Sequence, residues 1–424
     1  MGKRKPWPLA NIVLILLLTF PSLMASGCAI GPLLVNAQVA PARISPNADG
    51  NTDVTRISYE LRRSANLSIY FENAAGQRFY FRQERRRSAG QYNVLWGGVI
   101  EGEMLYETPV TKQVVKSRVL PNGQYTWFVV ATDDRGHTEK ASGILEIVDA
   151  DTTIPELQNF SVSPQEFTPN QDGLNDRVTI TYYLTKPAEV RVYLRGPDGT
   201  EYPIAEKERK VKPGEVGLHI YDYDGGVDRG ADPPPDGTYT VVAEAQDKVG
   251  SLVVVESTLT IREGGVPRAD IVQASVEFEP KIIPLGGTLY FTATVENFGK
   301  VPIRTTGPAP GTPYRGDQNF NSLQWYEEPG AWRFGIDFET NSSGRPYPYR
   351  YAIGADSDLT IRMIDGRPYR FLMPGQRAVI TGSIQIVDKP PRNPIYFWAG
   401  LIHEEVRIDV FNDHVDPQQI SIGF

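Results

Sequence analysis

The chain is poor in the residues that most often carry chemistry. Its 424 residues include one cysteine, Cys28, and four histidines. A single cysteine excludes an internal disulfide and leaves that thiol as a lipid-bearing residue or as part of a discarded leader. The histidines, His137, His219, His403 and His414, have no metal-ligand spacing. No Gly-x-Ser-x-Gly elbow, phosphate loop or dinucleotide fingerprint occurs. His403-Glu404-Glu405 and Asp413-His414 come nearest to acid/base pairs, and neighbouring positions alone supply no catalytic geometry. The chain is therefore expected not to be an enzyme. A basic excess is also missing: 43 Lys+Arg stand against 51 Asp+Glu. Residues 41–150 are nearly balanced, so the acidity lies beyond residue 150. Phosphate backbones need a basic face, which excludes nucleic acid as the expected partner. Past the N-terminal region no segment shows a helical apolar stripe.

The N-terminus reads as an export signal. Lys3-Arg4-Lys5 precede an apolar run from Leu9 to Phe20, short for a membrane span. Two cleavage sites compete. Ala25-Ser26-Gly27-Cys28 has the small-residue-then-cysteine form of a bacterial lipobox, with Ala at −3 where Leu is usual. Val35-Asn36-Ala37, before Gln38, suits ordinary signal peptidase. An uncleaved anchor is the third alternative. The leader is set at residues 1–37, with Cys28 as the lipidation candidate. The expected location is extracytoplasmic, at the cell surface or secreted, with the membrane reached only through a lipid on Cys28.

What the chain does have is an octapeptide that occurs twice. Pro46-Asn47-Ala48-Asp49-Gly50-Asn51-Thr52-Asp53 returns as Pro169-Asn170-Gln171-Asp172-Gly173-Leu174-Asn175-Asp176. Each copy leads into a strand-like segment, Arg56–Leu61 and Thr179–Leu184. Further on, Trp96-Gly97-Gly98 corresponds to Asp224-Gly225-Gly226, and Pro121-Asn122-Gly123-Gln124-Tyr125 to Pro235-Asp236-Gly237-Thr238-Tyr239. Between the last two signals the first copy has 14 extra residues, expected to form a surface loop. Period-2 alternation between Gly, Pro and Asn turns predicts an all-β chain of three tandem antiparallel β-sandwiches. Their expected bounds are 41–150, 151–263 and 264–424. No free strand for exchange between chains is evident.

The Pro-Asn-x-Asp-Gly opening, the Gly-Gly turn and the Pro-x-Gly-x-Tyr strand resemble the Ig-like domain of flagellar hook-capping proteins, a module that recurs in bacterial surface proteins. The likeness covers 41–263 and implies a fold, since no hook-assembly region accompanies it. From Ala269 on, Gly286-Gly287-Thr288-Leu289-Tyr290-Phe291 and Met373-Pro374-Gly375-Gln376 resemble the two ends of CARDB domains, the cell-adhesion-related Ig-like modules of bacteria. The middle, about Thr305 to Asp358, is expected to be an elaborated loop region.

Four groups of residues are weighed as candidate sites. Asn47, Asp49, Asn51 and Asp53, with Asn170, Asp172 and Asp176, place oxygens at alternate positions around a glycine. That pattern suits Ca2+, and it equally suits a turn closed by Asn and Asp side chains. An EF-hand is excluded, since position 12 is Ser58 or Thr181 instead of Glu. A second acidic group, Asp222, Asp224, Asp228 and Asp232, reads as a solvated loop. In the aromatic stretch 314–351, Trp332, Phe334, Ile336 and Phe338 alternate like a core strand, whereas Trp325 and Tyr326 are the candidate ligand-binding residues. Arg82 and Arg85-Arg86-Arg87 form a basic patch suited to an acidic glycan, a lipid headgroup or an acidic partner. The expected role is structural or adhesive: two Ig-like spacers presenting a C-terminal binding domain to a cell-envelope protein or surface glycan. The alternative is a carbohydrate-binding protein using 314–351.

Overall fold

A computed structural model describes residues 31–206 and 211–423. Cys28 and most of the expected leader lie outside the described residues. The chain is all-β. Its only helical pieces among the described residues are short 3-10 turns, at Val227–Arg229 and Phe320–Leu323.

Two compact units share the chain discontinuously. The first takes residues up to Ser45, then Thr52–Gly97 and Asn122–Val148. Its strands open with β1 (Leu34–Ala40), β2 (Arg43–Ile44), β3 (Thr55–Leu61), β4 (Ala65–Glu72), β5 (Arg78–Arg87) and β6 (Gly90–Trp96). The chain then leaves for β7 (Val99–Thr108) and β8 (Thr111–Val119), and returns for β9 (Gly123–Asp133) and β10 (Thr138–Ile147). The first sandwich stacks a sheet of order β1-β3-β6 on one of order β2-β10-β9-β4-β5. Its core follows the period-2 rule: Ile57, Tyr59 and Leu61 face Leu67, Ile69 and Phe71, and Phe71 stacks on Trp96 at 3.8 Å.

The repeat begins earlier than its octapeptide. Leu34, Asn36, Val39 and Pro41 return as Leu157, Asn159, Val162 and Pro164, at the octapeptide spacing. Both first strands share a burial pattern, and both carry a bulge at an asparagine with positive φ, 55° at Asn36 and 52° at Asn159. Asn tolerates that left-handed conformation better than most residues. Residues 34–37, counted with the leader in the sequence, thus lie in β1, where Leu34 is buried and pairs with Leu61.

The second unit contains the other two sandwiches. The first of these is built from β11 (Leu157–Ser163), β12 (Glu166–Phe167), β13 (Val178–Leu184), β14 (Glu189–Arg195), β15 (Glu201–Ile204), β16 (Gly217–Tyr223), β17 (Gly237–Gln246) and β18 (Leu252–Ile261). One sheet is β11-β13-β16. The other runs β15-β14-β17-β18-β8-β7. The extra residues of the first repeat are therefore no loop but a hairpin that extends the sheet of the second. Val115 pairs with Val253, and Val114 with Val254. An exposed edge such as β18 needs covering, and β8 supplies the backbone partners. Inward-facing Val115 joins the core of this sandwich. The neighbouring inward residue Gln113 donates to the Pro155 carbonyl (3.0 Å) and accepts from Leu157 N (3.1 Å).

The third sandwich comprises β19 (Ala269–Glu279), β20 (Ile282–Pro284), β21 (Thr288–Asn297), β22 (Ile303–Thr305), β23 (Pro313–Arg315), β24 (Trp332–Phe338), β25 (Tyr349–Ala352), β26 (Thr360–Ile364), β27 (Arg367–Leu372), β28 (Arg377–Gln385), β29 (Ile395–His403), β30 (Arg407–Ile408) and β31 (Val415–Gly423). One sheet is β19-β21-β28-β23; the other runs β20-β31-β29-β24-β22-β27-β26. Residues 305–358, expected as an elaborated loop region, instead form strands and core. They contribute β24, paired along its length with β29, and the buried rings Tyr314, Phe320, Tyr347, Tyr349 and Tyr351. A long stretch rich in rings has apolar surface to bury, and it fills the interior.

Val115→Asp tests the hairpin. A carboxylate forced into that apolar core is expected to destabilise the second unit by about 3 kcal/mol or more. Hydrogen exchange should show Leu252–Val254 amides losing protection while β3 and β9 keep theirs.

Candidate functional site

The two octapeptides fold alike. Positive φ recurs at Ala48, Gly50 and Thr52, and at Gln171, Gly173 and Asn175. Alternating left-handed residues curl the backbone so that successive N–H groups converge on the concave side, a nest for an oxygen. In the second copy the Asp176 carboxylate fills it. Oδ1 accepts from Asn170 N and Asp172 N, both at 3.2 Å, and Oδ2 accepts from Gly173 N at 2.6 Å. Asn170 Oδ1 accepts from Asp172 N (3.1 Å) and Asp172 Oδ1 from Leu174 N (2.8 Å). In the first copy Asn47 accepts from Asp49 N and Asp49 from Asn51 N. Asp53 belongs to the other compact unit. The oxygens of Asn47, Asp49, Asn170, Asp172 and Asp176 that the sequence offers to calcium thus face the turns' own N–H groups. Among the described residues no group of three or more His, Cys, Asp or Glu is placed to hold a metal ion. In the second acidic group, Arg177 pairs with Asp222 (2.6 Å) and with Asp228.

The second octapeptide is also the foundation of a seam with the third sandwich. Arg304, buried on β22, donates through Nε to the Asp172 carbonyl at 2.5 Å, and its other nitrogens reach Glu328 and the Pro329 carbonyl. His403, at the end of β29, meets the Gln171 carbonyl at 2.7 Å through Nε2 and stacks on Trp332 at 4.6 Å. A carbonyl only accepts, so Nε2 carries the proton and the buried Nδ1 is bare. Gly173 and Gly330 sit against each other: a Cβ on Gly173 would come within 2.2 Å of Pro329 O, and one on Gly330 within 2.3 Å of Gly173 N. Both have positive φ, so glycine is required twice over. Arg362 clasps Glu263 at 2.7 and 2.9 Å beside the link between the sandwiches.

Behind the seam lies a charged interior. Glu404 receives Arg350 Nη1 at 2.7 and 2.8 Å, and Arg333 Nη1 lies 3.1 Å away. Arg333 also holds the Thr306 carbonyl (2.8 Å) and the Tyr326 carbonyl (2.6 Å). The His403-Glu404 pair, nearest to acid/base machinery in the sequence, is thus built into the seam and its support. Sequence reasoning missed Arg304, Arg333 and Arg350.

Of the aromatic candidates, Trp325 is 38% and Tyr326 64% exposed, on the turn that Arg333 anchors. Neither lines the cleft of the third sandwich that lies over Phe338. That cleft of about 350 Å³ has Phe338, Tyr349 and Phe397 beneath Asn319, Asn341 and Asp388.

Comparison with protein-family models finds no match, and none is found among curated proteins. Among solved structures the chain is similar to alpha-2-macroglobulin of E. coli, at 11% identity and a TM-score of 0.19, over 92% of this chain and 23% of that one. It is similar to a tetra-tandem repeat from the extending region of a large adhesion protein, at 13% identity and a TM-score of 0.18, over 88% and 84% of the two chains. It is also similar to a Ca2+-stabilized adhesin with which an Antarctic bacterium binds ice, at 12% identity and a TM-score of 0.22, over 88% and 69%. The chain spans less than a quarter of the macroglobulin. At these scores the likenesses assign no function.

Two groups in the seam have displaced pKa values, of opposite consequence. Burial, with Asp176 adding repulsion, pushes Asp172 up to about 7. Its folded form holds a proton more tightly than the unfolded chain, so its contribution is full below about pH 4 and lost as pH rises through 7. Burial pushes His403 down to about 4, so its contribution is present above about pH 6.5 and lost as pH falls toward 4. The two partly cancel in the native protein. Asp172→Asn keeps the acceptor for Leu174 and removes one of them. Denaturant unfolding should show the variant near wild type at pH 4.5, and more stable at pH 8 by on the order of 2–4 kcal/mol.

Proposed function

We propose that the protein is an exported, non-catalytic surface protein in which the second sandwich supports the third as a stiff mount, with the third as the binding end. The observation that carries this reading is the seam on Asp172 and Gly173. Backbone carbonyls of the second sandwich are held by buried Arg304 and His403 of the third, and two glycines allow the backbones to touch. Interfaces between domains that swing freely are polar and wet, whereas buried, geometrically demanding contacts fix an angle. A fixed angle serves presentation. The partner is proposed to be a cell-envelope protein or a surface glycan. Exposed Trp325 and Tyr326 and the aromatic-floored cleft are the two places on the third sandwich that suit it.

Calorimetry of the intact protein tests the mount. The second and third sandwiches are expected to melt in one transition. Arg304→Ala should split it into two, because the Asp172 and Pro329 carbonyls and Glu328 lose their shared donor. Two separate transitions in the wild type would sink the mount.

The leader is read as a lipoprotein signal. Cleavage before Cys28 leaves β1 whole, whereas cleavage after Ala37 removes Leu34, which is buried and donates its N–H to Glu139 at 2.8 Å. Metabolic labelling with a radioactive fatty acid is expected to mark the wild type and to leave Cys28→Ser unmarked.

A further inference from the structure

The first sandwich carries positive charge where its pattern calls for apolar side chains. β5 is an edge strand, bonded only to β4. Directly opposed residues of antiparallel neighbours project to the same face. The register sets Arg82, Arg85 and Arg87 opposite Ile69, Leu67 and Ala65, three residues buried in the core. All three guanidinium side chains therefore leave the strand on the side that faces the other sheet. Arg86 leaves on the opposite side and grips Asp134 at 2.6 and 2.7 Å. The start of the same strand is ordinary, with Phe79 opposite Phe71 and Phe81 near Trp96. Two register shifts follow, with Glu84 at φ 48° and its N–H on Ser68 Oγ, and they bring Arg82 and Arg85 opposite inward residues in turn.

Facing these arginines from β3 is Tyr59, 2% exposed, whose hydroxyl has no hydrogen-bond partner of sound geometry. Arg87 Nε is buried and equally without a partner. Burial raises the Tyr59 phenol, and the charges of Arg82 and Arg87 act against that rise. Tyr92 stacks on Tyr59 at 5.1 Å and donates to the Ser88 carbonyl, closing the apolar side. Among the described residues no carboxylate pairs with Arg82, Arg85 or Arg87. Buried donors without acceptors are costly, and a cluster of them is completed by an acceptor from outside.

We infer that this edge of the first sandwich binds a phosphate group between Arg82, Arg87 and the Tyr59 hydroxyl, with Arg85 at the mouth. A planar carboxylate is matched by one guanidinium fork. Several guanidiniums on one sheet and a phenol on the other reach a tetrahedral phosphate anion from different directions. The phosphate is carried on a membrane lipid headgroup or is free in solution, and the same site chemistry serves both.

The test uses the full chain at low ionic strength. Calorimetric titration with inorganic phosphate, and co-sedimentation with phosphatidylglycerol vesicles against phosphatidylcholine vesicles, are run on wild type, Arg87→Gln, Tyr59→Phe and Arg86→Gln. Tyr59→Phe keeps the ring and its stacking, and circular dichroism checks that each variant is folded. Saturable binding weakened about tenfold or more by Arg87→Gln and by Tyr59→Phe, but not by Arg86→Gln, supports the site. If phosphatidylglycerol vesicles bind and phosphate competes them off, the source is the headgroup; phosphate binding without vesicle binding makes it the free ion. No saturable binding to either ligand overturns the inference. So does an equal loss in Arg86→Gln, which would show net charge acting without a site.

Discussion

One carboxylate closes the turn on which the seam between the second and third sandwiches rests. Asp176 accepts from three N–H groups of a turn whose left-handed residues aim those donors at one point. Closed this way, the turn points the Gln171 and Asp172 carbonyls outward, where His403 and Arg304 meet them. The chain of dependence is local geometry first, then carbonyl direction, then the seam. Arg304 could not be buried without those carbonyls, because a guanidinium has five donors and no way to shed its charge.

The interior behind the seam follows the same constraint. Glu404 satisfies Arg350 and faces Arg333, and the two arginines also donate to main-chain carbonyls of Thr306, Tyr326, Pro346 and Tyr347. Such an arrangement adds little stability compared with apolar packing, and it permits very few alternative conformations. That suits the proposed role of the second sandwich as a fixed mount for the third. Asp172 and His403 are displaced in opposed senses, so each offsets part of the pH dependence that the other gives the seam.

Much of the fold was legible in the residues. The octapeptide, the Gly-Gly turn and the Pro-x-Gly-x-Tyr strand mark two sandwiches because turns and alternation are local properties. The earlier start at Leu34 was legible too: Leu-x-Asn-x-x-Val-x-Pro occurs at both positions, but the apolar leader beside the first copy hid it. The destination of β7 and β8 was not legible. Alternation shows that a segment is a strand and is silent on which sheet takes it. Among site residues, Trp332, Phe334 and Ile336 fell in the core as their spacing implied. Arg304, Arg333 and Arg350 escaped notice because a buried arginine is defined by partners distant in sequence. Asn47, Asp49, Asn170, Asp172 and Asp176 were recognisable as an oxygen-rich turn; which way those oxygens point depends on three positive φ values that the letters do not spell.

The hairpin of β7 and β8 makes two repeats less separable than their sequences suggest. It is written inside the first repeat and completes the sheet of the second. During synthesis these strands emerge more than a hundred residues ahead of the edge they cover. A duplication, deletion or exchange cut at the repeat boundary would leave one copy with an uncovered edge and the other with an orphaned hairpin. The heritable cassette is therefore the pair, and a lineage could lengthen such a chain only in steps that carry both halves together.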